Sequence, residues 1–298
     1  MKNVFLLLFL IGSGPSFSQS WSQLSDFPWT PRDDGTTFTI SDKAYCGSGL
    51  DDGFNTTGDF YVFDLITESW SPIAFLPGTA KLQYATSFSY NGKGYVFGGL
   101  NELGVYQNVL WEYDPIMNSW FMLTSLPSEG RSGSSSFVIS DTAYIIGGKN
   151  TSASALAEVW AYDLINDSWI SKSDIAIDGM WRGVGYSWNA NGYIGLGKDS
   201  NDILNTGFYK FDAFLDTWDL VPEIVTTPRT YSGHAQIGDK VFLYGGMDQS
   251  GTFLNTLERI NMSSLTIDPL NDLATESRRG VMAFTSDIDF FITTGVTV

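Results

Sequence analysis

The residues best suited to chemistry in this chain are basic side chains that recur about every 49 residues. They are Arg32, Lys81, Arg131, Arg182, Arg229 and Arg278. A second set carries a carboxylate or an amide at the same interval, and it consists of Asp51, Asn101, Asn150, Asp199 and Asp248. Guanidinium groups suit a carboxylate or an anionic sugar. If both sets lie on one face of the fold, they predict a ligand site; a structural pairing of each arginine with a nearby loop carboxylate is the alternative.

Positions that break the repeat help to separate these two interpretations, because a symmetric ring that binds one asymmetric ligand must depart from its own symmetry. In the fourth unit, Trp181 and Arg182 bring an aromatic ring and a displaced arginine. In the fifth unit, Tyr231 follows Arg229 closely. Aromatic rings beside arginines suit carbohydrate recognition, although packing between units would also explain them. We therefore predict ligand binding by Arg32, Arg131, Trp181, Arg182, Arg229, Tyr231 and Arg278.

The single histidine, His234, is the residue best suited to acid and base chemistry near neutral pH. The other units carry small residues at its position, namely Thr37, Thr86, Ser136, Gly185 and Ala283. An imidazole there should protrude into a central channel. A catalytic site would gather His234 with an arginine and a carboxylate such as Asp199 or Asp248. A purely structural histidine is the alternative.

Short strands must position these residues, since no stretch after residue 20 keeps a helical period. A glycine ends an apolar strand at Gly49, Gly99, Gly148, Gly197, Gly246 and Gly295. In the second unit the strands fall at 84–90, 94–99, 109–113 and 120–123, with turn signals at 91–92 and 114–115. One such sheet cannot cover both of its faces, so copies must stack. The sequence predicts an all-β, six-bladed β-propeller of four-stranded antiparallel blades.

The units resemble Kelch repeats. Gly-Gly pairs at 98–99, 147–148 and 245–246 are each followed by an aromatic-Asp pair or its equivalent and then by Trp or its equivalent. The first and fourth units depart from this, with Gly-x-Gly at 47–49 and 195–197. The resemblance runs from Trp21 to the end, and it implies one Kelch-type propeller domain over residues 19–298.

The last blade is predicted to be incomplete in this chain. The repeat would place its fourth-strand tryptophan at about position 316, whereas the sequence has 298 residues. Kelch-like propellers often close with the N-terminal strand, so the strand near Trp21 should complete the last blade. Its third strand would still be absent, and we expect a C-terminal strand to be missing. A natural chain with an open last blade is the alternative.

The N-terminus resembles a cleavable leader, with Lys2, an apolar run over 4–11 and Ser16-Phe17-Ser18 as the cleavage signal. Residues 1–18 are therefore a predicted signal peptide, cut after Ser18, and the protein should be secreted or periplasmic without membrane insertion. The net charge of −17 argues against nucleic acid as a partner. The single cysteine, Cys46, excludes an internal disulfide and is a candidate core residue. We predict no metal, no cofactor and a monomer.

Two functions stay open at this point. The first, which we favour from the sequence, is a non-catalytic module that binds a glycan or a protein ligand through the face with the arginine and Asp/Asn rings. The second rests on resemblance to exported sialic acid epimerases, or mutarotases, which implies a sugar-modifying enzyme. Galactose oxidase-like copper enzymes share the repeat, but their site needs two histidines. The single His234 excludes that activity.

Overall fold

The computed structural model describes residues 3–10, 18–78, 80–273 and 276–297, and within these ranges all regular elements are β-strands. Five antiparallel four-stranded sheets follow one another along the chain, and we call them blades 1 to 5. Blade 1 consists of Thr36–Ile40, Lys43–Gly47, Phe60–Asp64 and Ser69–Pro72. Blade 2 consists of Thr86–Tyr90, Lys93–Phe97, Leu110–Asp114 and Ser119–Met122.

Blades 3 to 5 repeat this order. Blade 3 consists of Ser135–Ile139, Thr142–Ile146, Val159–Asp163 and Ser168–Lys172. Blade 4 consists of Val184–Trp188, Asn191–Gly195, Phe208–Asp212 and Thr217–Val221. Blade 5 consists of Gly233–Ile237, Lys240–Tyr244, Leu257–Asn261 and Thr266–Pro269. Two-residue strand pairs join Arg32–Asp33 to Leu50–Asp51, Leu82–Gln83 to Leu100–Asn101, and Arg278–Arg279 to Val296–Thr297.

The sixth sheet joins the two ends of the described chain. Its order is Met282–Thr285, Phe290–Thr293, Val4–Leu10 and Ser18–Gln23. The predicted six-bladed all-β propeller is confirmed, but the expected gap in the last blade is corrected. Val4–Leu10 occupies the third-strand position, and the side chains of Val4, Phe5, Leu6 and Leu7 pack between blades 5 and 1. The signal peptide over 1–18 and the missing C-terminal strand stay predictions.

The repeated tryptophans form hydrogen bonds between neighbouring blades. Each indole Nε1–H donates a hydrogen bond of 2.8–3.3 Å to a backbone carbonyl of the preceding blade or its connection. The pairs are Trp21 with Asn271, Trp70 with Ser25, Trp120 with Ala74, Trp169 with Thr124 and Trp218 with Ser173. The repeat interval of the sequence is therefore the interval of a contact between blades.

The core lies between the blades. Cys46 is one of its residues, and burial raises the pKa of its thiol to about 12. Among the described residues no helix is long and apolar enough to cross a membrane.

Tyr186 carries a buried hydroxyl without a hydrogen-bond partner in the described structure. Its ring stacks on Tyr193, as Phe88 stacks on Tyr95 in blade 2. A phenylalanine would keep this stacking and remove the unpaired hydroxyl, which costs about 1–3 kcal/mol when buried. We expect Tyr186→Phe to raise the free energy of unfolding by about 1 kcal/mol. Urea unfolding followed by tryptophan fluorescence measures the change.

Tyr113→Phe is the matched control for this variant. The Tyr113 hydroxyl donates to Asn118 Oδ1 at 2.8 Å, so the same chemical change should lower stability there. Equal losses from both substitutions would contradict the assignment of Tyr186 as an unpaired group.

Candidate functional site

Six residues that lie just before the first strands surround the propeller axis, and we call them the mouth ring. They are Asp34, Tyr84, Gly133, Arg182, Tyr231 and Gly280, and all have φ between 58° and 64°. Backbone hydrogen bonds of 2.7–3.1 Å link them in series around the axis. The N–H donor, named first in each pair, and the C=O acceptor are Arg182 and Gly133, Gly133 and Tyr84, Tyr84 and Asp34, Asp34 and Gly280, and Gly280 and Tyr231. Left-handed backbone is costly for the four residues that are not glycine, and such strain clusters at functional sites.

Arg182 crosses the axis within this ring. Its guanidinium forms an ion pair with Asp34, which comes from the opposite side of the propeller. The guanidinium carbon lies 3.4 Å from the ring centroid of Tyr231 and 4.3 Å from that of Tyr84. A Cβ atom at Gly133 would come within 2.9 Å of Arg182 Cγ. The same Cβ atom would lie 2.6 Å from Trp181 Nε1, so the glycine makes room for both Trp181 and Arg182. The two tyrosines hold the arginine cation between them.

A second acidic residue, Asp33, lies beside Asp34 on the outer side of the mouth ring. Arg279 Nη2 lies 3.7 Å from its Oδ2 atom. Burial, with help from the negative charge of Asp34, raises the pKa of Asp33 to about 7, against the opposite influence of Arg279 and Arg182. The pair therefore combines two acidic side chains with two cations. A carboxyl with such a pKa can donate or accept a proton near neutral pH.

Several buried polar atoms at the mouth have no hydrogen-bond partner in the described structure. They include Asp34 Oδ2, Trp181 Nε1, Arg182 Nη1 and Arg279 Nε. Of these four, three are donors and one is an acceptor. Because buried polar groups are normally paired, these atoms mark a place where a ligand with acceptor oxygens and a hydroxyl would bind.

Three of the predicted ligand-binding residues meet here. The Trp181 ring packs edge to face against Tyr231, 5.8 Å between centroids, and its centroid lies 5.6 Å from the guanidinium carbon of Arg182. The Lys149 ammonium lies 5.1 Å from the Trp181 centroid. The three residues chosen because they depart from the repeat therefore lie next to one another in the structure.

The expected convergence of the arginine ring over the opening is corrected by the structure. Four of its members lie fully buried inside their blades or blade junctions, namely Arg32, Arg131, Arg229 and Arg278. Each donates to the backbone carbonyl of the residue directly before the glycine that closes the second strand, namely Ser48, Gly147, Gly245 and Thr294. Each also pairs with a carboxylate, those of Asp59, Glu158, Glu258 and Glu276. These contacts support the structural interpretation of the ring.

The lysine of the basic set, Lys81, does not share the buried position of these arginines. Its half-exposed side chain pairs with Glu102 at 3.2 Å. Leu82 takes its place, because Leu82 pairs with Asn101 as Arg32 pairs with Asp51.

The three candidate catalytic residues do not come together. Asp199 and Asp248 accept backbone hydrogen bonds from their own loops, at 2.8–2.9 Å. His234 lies in the channel wall, where its Nε2 is 3.3 Å from the Gly185 carbonyl oxygen. Burial lowers the pKa of His234 to about 4, so its imidazole is neutral at pH 7. The expected His234 and carboxylate site is therefore corrected.

The channel behind the mouth ring is a cavity of about 430 Å³. Small polar side chains line it and donate hydrogen bonds to a neighbouring blade, as Ser87 Oγ of blade 2 does to the Thr37 carbonyl of blade 1 at 2.7 Å. Gln236 makes the same kind of contact with Ser187 at 2.9 Å. His234 belongs to this series of contacts between blades. Over the described ranges, no three His, Cys, Asp or Glu side chains are grouped as a metal site requires.

Sequence reasoning missed Asp33, Asp34, Tyr84 and Arg279. A signal was present, since two acidic residues directly follow Arg32 and a second arginine directly follows Arg278. Asp33, Asp34 and Arg279 follow the repeated arginines and depart from the repeat as clearly as Trp181 does.

The fold and the mouth ring define a six-bladed β-propeller with an asymmetric polar centre. The chain belongs to the Kelch-repeat family. Residues 16–178, more than half of the chain, match the KLHDC2/KLHL20/DRC7 Kelch-repeats domain, and residues 228–266 match the Kelch motif. The solved structure of YjhT superposes with a TM-score of 0.75 at 19% identity, covering 92% of this chain and 93% of that one. This likeness shows the fold.

Curated relatives match in part. N-acetylneuraminate epimerase of Shigella sonnei (strain Ss046) is 34% identical over 129 residues, 41% of this chain and 33% of the relative. The enzyme of the same name from Pasteurella multocida (strain Pm70) is 32% identical over 141 residues, 46% of this chain and 36% of the relative. An N-(sulfonatooxy)prop-2-enimidothioate sulfolyase of Thlaspi arvense is 31% identical over 116 residues, 36% of this chain and 31% of the relative. The chain spans about a third of the length of these relatives.

Proposed function

We propose that this protein exchanges the anomers of a free sugar acid at the mouth ring. The observation that carries the proposal is the carboxyl pair of Asp33 and Asp34 beside two arginines, with the pKa of Asp33 raised to about 7. The relatives named as N-acetylneuraminate epimerases support the substrate class. These observations favour an enzyme over the non-catalytic binding module that the sequence alone favoured.

Anomer exchange needs one acid and one base and no cofactor. A proton leaves the anomeric hydroxyl, a proton joins the ring oxygen, and the bond between that oxygen and the anomeric carbon breaks. The open form closes again on its other face, and both protons return. Two adjacent carboxyl groups that hold one proton between them supply both roles. We assign the role of acid to Asp33 and the role of base to Asp34, the ion-pair partner of Arg182.

The unpaired atoms around the mouth give the substrate its contacts in this proposal. The N–H groups of Trp181, Arg182 and Arg279 would receive the carboxylate of the sugar, while Asp34 Oδ2 would accept a hydroxyl. We further propose that the protein works as a monomer outside the cytoplasm, exported by the predicted signal peptide over residues 1–18.

Exchange NMR on N-acetylneuraminate tests the activity. We expect the protein to accelerate anomer exchange at least about 100-fold over the spontaneous rate, the low end for general acid and base catalysis. His234→Gln, Asp199→Asn and Asp248→Asn are matched controls outside the mouth ring and should keep the rate. An exchange rate no faster than the spontaneous rate in the presence of the wild-type protein, for this sugar and for a panel of other sugar acids, would contradict the proposal.

A binding module remains the second candidate, favoured by two pairs of aromatic and basic side chains beside the mouth, Trp181 with Lys149 and Tyr231 with Arg279. Titration of the same sugar acids followed by tryptophan fluorescence separates the candidates. Binding without faster exchange would support the module and exclude the enzyme.

A further inference from the structure

A second set of residues surrounds the mouth ring, and short backbone ladders build it. Each residue directly before a mouth-ring residue pairs with the residue directly after a strand-closing glycine. The pairs are Asp33 with Leu50, Gln83 with Leu100, Ser132 with Lys149, Trp181 with Lys198, Thr230 with Met247 and Arg279 with Val296. We call these residues the outer ring. They determine which side chains each blade presents around the mouth.

Lys149 is a cation of the outer ring that faces an aromatic ring instead of a carboxylate. Its ammonium lies 5.1 Å from the Trp181 centroid and forms no ion pair with an acidic side chain of the described ranges. Lys198 holds the same position in blade 4, but it donates to Asp202 at 2.8 Å. Because the chain has 33 acidic side chains against 16 basic ones, an unpaired lysine at the mouth is a departure that favours an anionic ligand.

Arg279 is a second cation of the outer ring, in blade 6, which lies opposite blade 3 in a six-bladed ring. Its guanidinium carbon lies 4.7 Å from the Tyr231 centroid and 5.4 Å from that of Phe253. Its Nε has no partner in the described structure. The contact with Asp33 is long, at 3.7 Å, and an Asp33 that is partly protonated near pH 7 neutralises the arginine only in part.

Two aromatic rings connect these two cations in series. The Arg279 guanidinium carbon lies 4.7 Å from the Tyr231 centroid, the centroids of Tyr231 and Trp181 are 5.8 Å apart, and the Lys149 ammonium follows at 5.1 Å from Trp181. Arg182, beside both rings, is already paired with Asp34. Carboxylates on two linked sugars match this arrangement, whereas one carboxylate can face only one of the two cations.

We infer that the mouth binds an acidic disaccharide that carries one carboxylate on each sugar. The reducing sugar places its carboxylate at Arg279, beside Asp33, and the second sugar places its carboxylate at Lys149. The inference rests on the proposed function for the presence of a sugar acid at the mouth, and it narrows the substrate class from a single sugar acid to a dianionic disaccharide.

Calorimetric titration can test this with the glycosidically linked dimer of N-acetylneuraminate and with the same dimer after its non-reducing carboxylate is converted to the methyl ester. The two ligands differ by one charge and hardly in size. Lys149→Met removes the cation, and blade 5 already accommodates Met247 at this position. Lys149→Arg keeps the charge. Lys198→Met is the matched control, because Lys198 is paired with Asp202.

We expect the wild type to bind the dimer at least about tenfold more tightly than its ester, since hydrogen bonds to charged groups contribute this much. Lys149→Met should abolish the preference, whereas Lys149→Arg and Lys198→Met should keep it. Equal affinities of the wild type for dimer and ester, or a preference that survives in Lys149→Met, would overturn the inference.

Anomer exchange of N-acetylneuraminate, measured on the same samples, separates this inference from the proposed function. A preference for the dimer that depends on Lys149, without faster exchange, would support the disaccharide site and contradict the proposed activity. Faster exchange without any preference for the dimer would support the activity and overturn the disaccharide site.

Discussion

Asp33→Asn should make the protein more stable at pH 8 and leave its stability almost unchanged at pH 4. Burial raises the pKa of Asp33 from its ordinary 3.8 to about 7. Because the folded state binds this proton more tightly, Asp33 costs stability progressively as pH rises from about 4 to 7. Asparagine cannot ionise, so it removes this cost, which is on the order of 2–4 kcal/mol above pH 7.

Urea unfolding at several pH values between 4 and 8 measures this difference, with exposed Asp52→Asn as the control that should change stability little at any pH. A loss of stability in Asp33→Asn at pH 8 would show that Asp33 is an ordinary ionised partner of Arg279. A gain in stability from removing a polar group is the behaviour expected of a residue retained for function.

Arg182→Met should destabilise the protein by about 3–5 kcal/mol. The substitution leaves the buried Asp34 carboxylate without its ion-pair partner and removes the cation from between Tyr84 and Tyr231. Thermal and urea unfolding measure the loss. Adding Asp34→Asn to Arg182→Met should recover part of it, since the uncompensated charge is then gone.

Arg259→Met is the control for this comparison, because Arg259 pairs with Asp268 where both side chains are partly exposed. Exposed pairs contribute about 0–1 kcal/mol. Similar losses from Arg182→Met and Arg259→Met would mean that the crossing of the axis by Arg182 does not hold the mouth ring together.

The fold was predictable from the sequence because the repeat interval corresponds to contacts that recur from one blade to the next. Trp120 returns at the interval at which one blade contacts the next, and Gly98 and Gly99 return where the backbone must adopt positive φ beside the next arginine. The direction of a side chain does not follow from an interval. Arg131 keeps the interval but points into its blade, whereas Arg182, two residues out of phase, reaches the axis.

Two further outcomes show where single-sequence reasoning stops. The pKa of Asp33 is set by burial and the neighbouring charge of Asp34, which raise it, and by Arg279 and Arg182, which lower it; burial and the two arginines depend on chain segments that are distant in sequence and meet only around the axis. The run over Val4–Leu10 has the composition of both a leader and a buried strand, and the packing partners that make it a strand lie at the far end of the chain. Neither effect is visible in a local pattern.

We propose that Asp33 transfers protons to a sugar acid at the mouth ring. The most direct test is the anomer exchange rate of N-acetylneuraminate measured by NMR at pH 7 with equal amounts of wild-type protein and Asp33→Asn, both shown to be folded. We predict acceleration by the wild type and a fall to within about tenfold of the spontaneous rate for Asp33→Asn. Equal acceleration by the two proteins would contradict the claim.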